Sequence, residues 1–227
     1  MANKQSSVPS DLPNGISKLP ANVDQMRKIF EDWDPRLTAI IRETDTVFRW
    51  QLHHMKELNT WTRGAVALLG DACHPTSPYQ AQGAAMAVED GATIGKLLGL
   101  YASARGKALE MTVAGVLKLY ETLRKRRTTL NVAGADQNRE LYHLHEPEAS
   151  QRNLELRNVD WESEANGCSW LWGDMEYMRY LNGFDTLAEA EWAFVNRFGE
   201  GQGPNATVPN DSSDLEERLF RKVASLR

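Results

Sequence analysis

His74 and Asp71 stand in the run Gly70-Asp71-Ala72-Cys73-His74-Pro75, where an imidazole and a carboxylate offer proton-transfer chemistry. His53 and His54 are further acid–base candidates. Adjacent strand residues point to opposite faces, so these two do not form a local pair, and a polar strand end is the plainer reading. His143 and His145, with Glu146 and Glu148 nearby, are metal-ligand types. A helix end or loop is expected there and no third ligand falls at helical spacing, so no metal site is assigned. Cys73 and Cys168 make neither a disulfide framework nor a metal pattern, and Cys73 reads as a small buried space-filler.

The elements that must position His74 and Asp71 lie between Gly64 and Gly91. Ala65 to Leu69 is a short apolar run bounded by glycines, which predicts a buried strand. It stops at Gly70-Asp71, and a loop with Pro75, Pro78 and Gly83 follows. From Gly83 to about Ala104 the pattern is helical, with Ala84, Ala87, Val88 and Gly91 sharing a face that Leu97 and Leu98 extend. Strand, acidic turn, Pro/Gly loop and helix start together outline a ligand cradle. Asp71 would sit at the strand's carboxyl end, where α/β sheets place ligands. The N–H groups of Gly83 to Ala85 would open a helix, which favours electron-rich oxygens.

Gly70-Asp71-Ala72-Cys73-His74-Pro75, then Pro78, then Gln82-Gly83-Ala84-Ala85-Met86-Ala87-Val88-Glu89-Asp90, resembles the second flavin-binding motif of the FAD-dependent aromatic hydroxylases. Within that group the run is most similar to the salicylate-hydroxylase-like monooxygenases, the fungal ones in particular. The resemblance implies that Asp71 binds the ribityl chain of FAD and that Pro78 and the helix start lie against the isoalloxazine ring. The expected cofactor-binding residues are therefore Gly70, Asp71, Pro78, Gly83, Ala84 and Ala85. NAD(P)H is the implied co-substrate. Trp33-Asp34-Pro35-Arg36-Leu37, Phe48-Arg49-Trp50 and Trp61 also resemble the family, as do Tyr120-Glu121-Thr122-Leu123-Arg124-Lys125-Arg126-Arg127 and Leu181-Asn182-Gly183-Phe184-Asp185. The likeness covers about residues 21 to 198 and matches the family's C-terminal half. The Gly-x-Gly-x-x-Gly turn that grips the FAD pyrophosphate has no counterpart here.

The expected fold is α+β and mainly helical, with a few strands from the substrate and FAD-domain sheets followed by a long-helix C-terminal region. Residues 1–20 read as a tail, 21–198 as the family portion, and 199–227 as a linker with a short helix. Asn22 and Gln25 form a capping box for a helix whose Val23, Met26, Phe30 and Trp33 make a buried stripe. Asp34-Pro35 restarts a short helix with Leu37, Ile40 and Ile41. Phe48, Trp50 and Leu52 alternate with polar residues as a half-buried strand. A long helix from Lys107 to about His143, kinked near Gly134, has Val116, Leu117, Tyr120, Leu123 and Leu130 as its apolar side. Arg124-Lys125-Arg126-Arg127 solvates a face of that helix, with packing and i,i+4 charge pairing around it.

Trp161, Trp170, Trp172, Tyr177, Tyr180 and Phe184 form an aromatic section that docks a short helix on the fold. Asp185 caps the next helix, with Leu187, Ala190, Phe194 and Val195 on one side. Gly199 to Pro204 is a linker. Ser213 and Glu216 box the last helix, which presents Leu215, Leu219, Phe220 and Val223.

With 227 residues and a net charge of −5, the chain has room for one substantial core and no basic block suited to nucleic acid. No apolar run is long enough to span a membrane, and the first residues lack a signal-peptide core, so a cytoplasmic protein is expected. The sequons at Asn205 and Asn210 would then go unused. Three functions remain open. One is FAD-dependent hydroxylation of an aromatic or related small molecule, with a second polypeptide or self-association covering the exposed strand edge. Another is a cofactor-free isomerisation or cyclisation using His74, Asp71, His53 or His54. The last is a non-catalytic binding subunit.

Overall fold

Residues 18–53, 55–104, 111–163, 166–199 and 213–225 are described by a computed structural model of the chain. They fall into two units, 1–53 and 54–227. The expected helix start at Lys107, the sequons at Asn205 and Asn210, most of the Gly199–Pro204 linker, and His54 lie outside the described residues.

The first unit holds β1 (Lys18–Ala21), α1 (Val23–Ile29), α2 (Pro35–Arg42) and β2 (Val47–Trp50). β1 pairs antiparallel with β2, Lys18 opposite Trp50 and Ala21 opposite Val47, so the expected tail gives way to a strand at Lys18. The local punctuation holds. Asn22 Oδ1 accepts the Gln25 N–H at 3.0 Å, and Asp34 caps α2 with Pro35 in its first turn. The expected buried faces do not. α1 buries no residue, Trp33 and Ile40 are exposed, and Trp50 is 61% exposed. On β2 the Phe48 and Trp50 side is the open one, with the Lys18 ammonium 4.1 and 4.7 Å from the two ring centroids. Two short helices and two strands have too little surface to bury one another's apolar sides; only Thr38 is buried among them.

The second unit opens with β3 (Thr62–Arg63) and β4 (Val66–Ala67), a minimal hairpin turning through Gly64 at φ +59°. The buried strand expected over Ala65 to Leu69 is therefore a two-residue strand with Val66, Leu68 and Leu69 exposed, because no further strand lies beside it among the described residues. Helices follow: α3 (Gly83–Ala104), α4 (Val113–Tyr142), α5 (Glu148–Asn158), α6 (Met175–Gly183), α7 (Thr186–Phe198) and α8 (Ser213–Ser225). Among the described residues no helix is long and apolar enough to cross a membrane. The mainly helical α+β class holds.

α3 packs on α4 and α7 through Met86, Asp90, Thr93 and Leu97. Of the face predicted from periodicity Leu97 is buried, whereas Ala84, Val88 and Gly91 are exposed. α4 starts at a Thr112 cap and runs unbroken through Gly134. The glycine there marks a close crossing instead of a kink. Gln80 Nε2 donates to the Tyr177 hydroxyl at 2.7 Å, and a Cβ on residue 134 would overlap both groups.

Two apolar clusters fill the unit. One gathers Trp61, Cys73, Leu97, Val116, Tyr120, Ala190 and Phe194. The other gathers Leu130, Ala133, Leu171, Tyr177, Tyr180, Leu181 and Leu219. The aromatic section splits accordingly, with Tyr177 and Tyr180 buried and Trp161 and Trp172 exposed. Asp185 caps α7 as expected, burying Ala190 and Phe194 but leaving Leu187 and Val195 exposed. In α8 Leu219 is buried. Glu216 accepts from the Tyr180 hydroxyl at 2.9 Å and pairs with Arg126 at 2.6 Å, while the Ser213 side chain of the expected capping box lies outside the described ones.

Candidate functional site

The turn after β4 is pinned to α3. Gly70 adopts φ +59°, and a Cβ there would stand 3.2 Å from Ala87 Cβ, a conformation and an approach that both favour glycine. Its N–H donates to Asp90 Oδ2 at 2.8 Å. Asp71 follows in a short 3-10 turn, Gly70–Ala72, with its side chain exposed. The expectation of a sheet strand delivering Asp71 is thus corrected: a turn held by α3 delivers it. Pro78 opens a second 3-10 turn, Pro78–Gln80, and Ala81 takes a left-handed φ of 53° to lead into α3. The first bond of the α3 ladder is Met86 N–H to Gln82 O at 2.9 Å. The N–H groups of Gly83, Ala84 and Ala85 therefore precede the ladder, and Ala84 and Ala85 are exposed. An exposed carboxylate, small residues and orphan N–H donors suit the ribityl hydroxyls and ring oxygens of a flavin, so these residues fit one side of such a group.

Behind this face lies an ion network that the reading of the sequence missed. Asp90 Oδ1 accepts from Arg124 Nε at 2.8 Å. Asp90 Oδ2 meets His74 Nε2 at 2.6 Å as well as the Gly70 N–H. Glu89 takes Arg124 at 2.7 Å and Arg127 at 2.8 and 2.7 Å. Arg127 also donates to the carbonyls of Tyr180 and Leu181 and lies 4.0 Å from the Phe184 ring centroid. Arg124 and Arg127 are fully buried, so half of the basic run expected to solvate a helix face is core. Two carboxylates balance two guanidiniums, which is the condition for burying charge at all. Burial opposes ionisation of Asp90, yet His74, Arg124 and the Gly70 N–H outweigh it and hold the carboxyl below its usual range. Glu89 behaves likewise, burial being outweighed by Arg127 and Arg124. The signal was present: arginines three apart on α4 match an adjacent Glu-Asp pair on α3.

Among the described residues, His74 is the one predicted acid–base residue brought into a buried network. It is buried between Asp90 and Trp61, the Trp61 ring centroid standing 5.3 Å away. Asp71 is exposed on the outer face, and His53 is exposed in the other unit. His143 caps the end of α4, as a helix end was expected, and His145 follows it. Cys73, His74 and Asp90 place ligand-type atoms within 4.8 Å of one another. This trio does not suit a cation: Asp90 already binds Arg124, and burial followed by the Asp90 charge pushes the Cys73 thiol up to about 12. Cys73 is the buried space-filler expected.

Residues 32–135 match the FAD binding domain family. The chain is 33% identical over 192 residues to the FAD-dependent monooxygenase OpS4 of Beauveria bassiana (strain ARSEF 2860), a match covering 83% of this chain and 43% of that protein. It is 46% identical over 80 residues to a 6-hydroxynicotinate 3-monooxygenase of Pseudomonas fluorescens, covering 35% of this chain and 21% of the relative. It is 33% identical over 150 residues to 3-hydroxybenzoate 6-hydroxylase 2 of Aquipseudomonas alcaligenes, covering 66% and 44% respectively. The chain thus spans less than half the length of each of these relatives. With the Gly-Asp turn pinned against a glycine-led helix and relatives of this kind, the chain belongs to the FAD-dependent monooxygenases, as a part of their full length.

Proposed function

We propose that this chain supplies the ribityl-and-ring side of an FAD site in a monooxygenase that hydroxylates an aromatic or related small molecule with NAD(P)H and O2. One observation carries the reading: the exposed Asp71 carboxylate and the free N–H start of α3 are locked together through Gly70, Ala87 and Asp90. In this reading Asp71 accepts hydrogen bonds from the ribityl chain, and Pro78 and the Gly70 turn shape the floor of the site. Gly83, Ala84 and Ala85 turn their N–H groups to the electron-rich ring edge. When bound, FAD supplies the redox chemistry. The chain's own residues orient it and exclude side chains from the space it needs.

The pyrophosphate grip and the cover for Val66, Leu68, Leu69 and Val88, all exposed, come in this reading from the portion of the relatives that has no counterpart here. In this reading a second polypeptide supplies that portion, or self-association covers the exposed edge. Two unpaired buried cysteines suit a reducing, cytoplasmic setting.

Titration of FAD followed by flavin fluorescence tests the reading. Saturable quenching is expected, weakened about tenfold or more by Asp71→Ala, which removes a charged acceptor from an exposed position without touching the core. Flavin fluorescence indifferent to the protein, or an Asp71→Ala protein that binds FAD as the parent does, would overturn it.

A further inference from the structure

We propose that Asp90 is the positioning residue of the flavin site, setting where the Asp71 carboxylate stands relative to the N–H groups that open α3; the proposal rests on the flavin reading of Asp71. Gly70 and His74 bracket Asp71, and both meet one oxygen of Asp90. The Gly70 N–H donates to Oδ2 at 2.8 Å, and His74 Nε2 stands 2.6 Å from the same atom. Arg124 and the Gly70 N–H hold Asp90 as a carboxylate, so Nε2 carries the proton and donates. Within the turn, the Cys73 and His74 N–H groups both return to the Gly70 carbonyl at 3.0 Å. The loop from Gly70 to His74 is therefore closed on itself and tied at both ends to a single side-chain atom, with Asp71 on its exposed side.

The other half of the cradle hangs on the same carboxylate. Asp90 Oδ1 accepts from Arg124 Nε at 2.8 Å, and Arg124 Nη2 donates to the Met86 carbonyl at 3.3 Å, one residue past the Gly83–Ala85 start. Asp90 itself is 0% exposed and meets no ligand on the outer face. It acts by fixing both halves before a ligand arrives, so that less ordering is lost on binding. Three donors converge on its two oxygens, whereas an amide in its place offers one oxygen. The charged Arg124 would claim that oxygen, leaving an NH2 group against the Gly70 end. Glu89 is the matched contrast. It stands next to Asp90 on α3 and bonds Arg124 at 2.7 Å and Arg127 at 2.8 and 2.7 Å, but its carboxylate holds no part of the turn.

FAD titration by flavin fluorescence, run on the intact chain below the unfolding range of every variant, is paired with hydrogen exchange at the Gly70 amide. Asp90→Asn should weaken FAD binding about tenfold and speed Gly70 exchange about tenfold or more. Glu89→Gln removes an equivalent charge and should change each by less than about twofold. In an Asp71→Ala background Asp90→Asn should add less than about threefold, since no carboxylate is left to place; a purely structural role would weaken both backgrounds alike. Should Asp90→Asn fail to fold, His74→Leu, which frees one end of the loop and leaves the Arg124 pair, should weaken FAD binding about fivefold in its place. A parent chain without FAD affinity overturns the flavin reading, and the exchange comparison then decides for or against Asp90. Gly70 exchange equal in Asp90→Asn and the parent, equal effects of Asp90→Asn and Glu89→Gln, or full additivity with Asp71→Ala would overturn the proposal.

Discussion

Arg124 shows how much a single side chain can decide. It is fully buried, yet its guanidinium reaches Asp90, Glu89 and the Met86 carbonyl, so it joins α4 to α3. Removing one partner of a buried pair strands the other charge, which costs about 3–5 kcal/mol. Arg124→Ala should therefore show a loss of that size in urea unfolding, and Arg124→Lys should recover little, because an ammonium cannot reproduce the forked contact. Glu189 carries a second prediction. Burial, then the charge of Glu216, pushes its carboxyl up to about 7 against the pull of Arg124 and Arg127, with Glu89 adding to the rise. The native state therefore holds a proton that the unfolded chain releases near pH 4.3. Stability from this group is complete below about pH 4.3, falls as pH rises to about 7, and is level above. Glu189→Gln should remove that slope and raise the melting temperature at pH 8. Glu121 runs the opposite way. Burial is outweighed by bonds from Lys118, Thr62 and Thr60, bringing it down to about 2, so its contribution is lost only as pH falls below about 4.

Among the elements, α4 carries most of the organisation, and its glycine is a packing device. Where the Gln80–Tyr177 hydrogen bond crosses the helix there is no room for a methyl group. Gly134→Ala would normally strengthen a helix interior. Here overpacking should reverse the sign and cost about 1–3 kcal/mol, measurable by thermal unfolding, while the helix content by circular dichroism stays unchanged. The caps at Asn22, Asp34 and Asp185 were readable because each depends on residues two or three positions away. The crossing at Gly134 was not, since its cause lies at Gln80 and Tyr177, distant in sequence on both sides.

At the scale of the molecule, the described residues present apolar surface that the described elements do not cover. Val88 is 72% exposed and Leu69 46% exposed, beside the turn that presents Asp71. Side chains this open contribute little to folding, so Val88→Ser with Leu69→Ser should shift stability by no more than about 1 kcal/mol in total. If this face is one that the rest of the family fold covers, the double variant should lower self-association in sedimentation velocity and reduce binding of a hydrophobic dye.

Local chemistry was legible from the residues alone. The Gly-Asp turn, the proline-containing loop and the glycine-led helix start are short-range patterns, and they carried the family assignment before any coordinate. α5 carried no signal that was read, whereas the bounds of α3 followed from the period of the sequence. Which face of α3 turns inward did not. Periodicity selects Ala84, Ala87, Val88 and Gly91, extended by Leu97 and Leu98, as an apolar stripe; Leu97 is buried, but the first half of the helix turns Asp90 inward instead, because Arg124 arrives from α4 to neutralise it. A charge is disfavoured in a core until its partner is beside it, and that pairing spans 34 positions. The sequence by itself determined lineage and local form. Only the tertiary structure decided which charges form the core, and how His74 comes to meet Asp90.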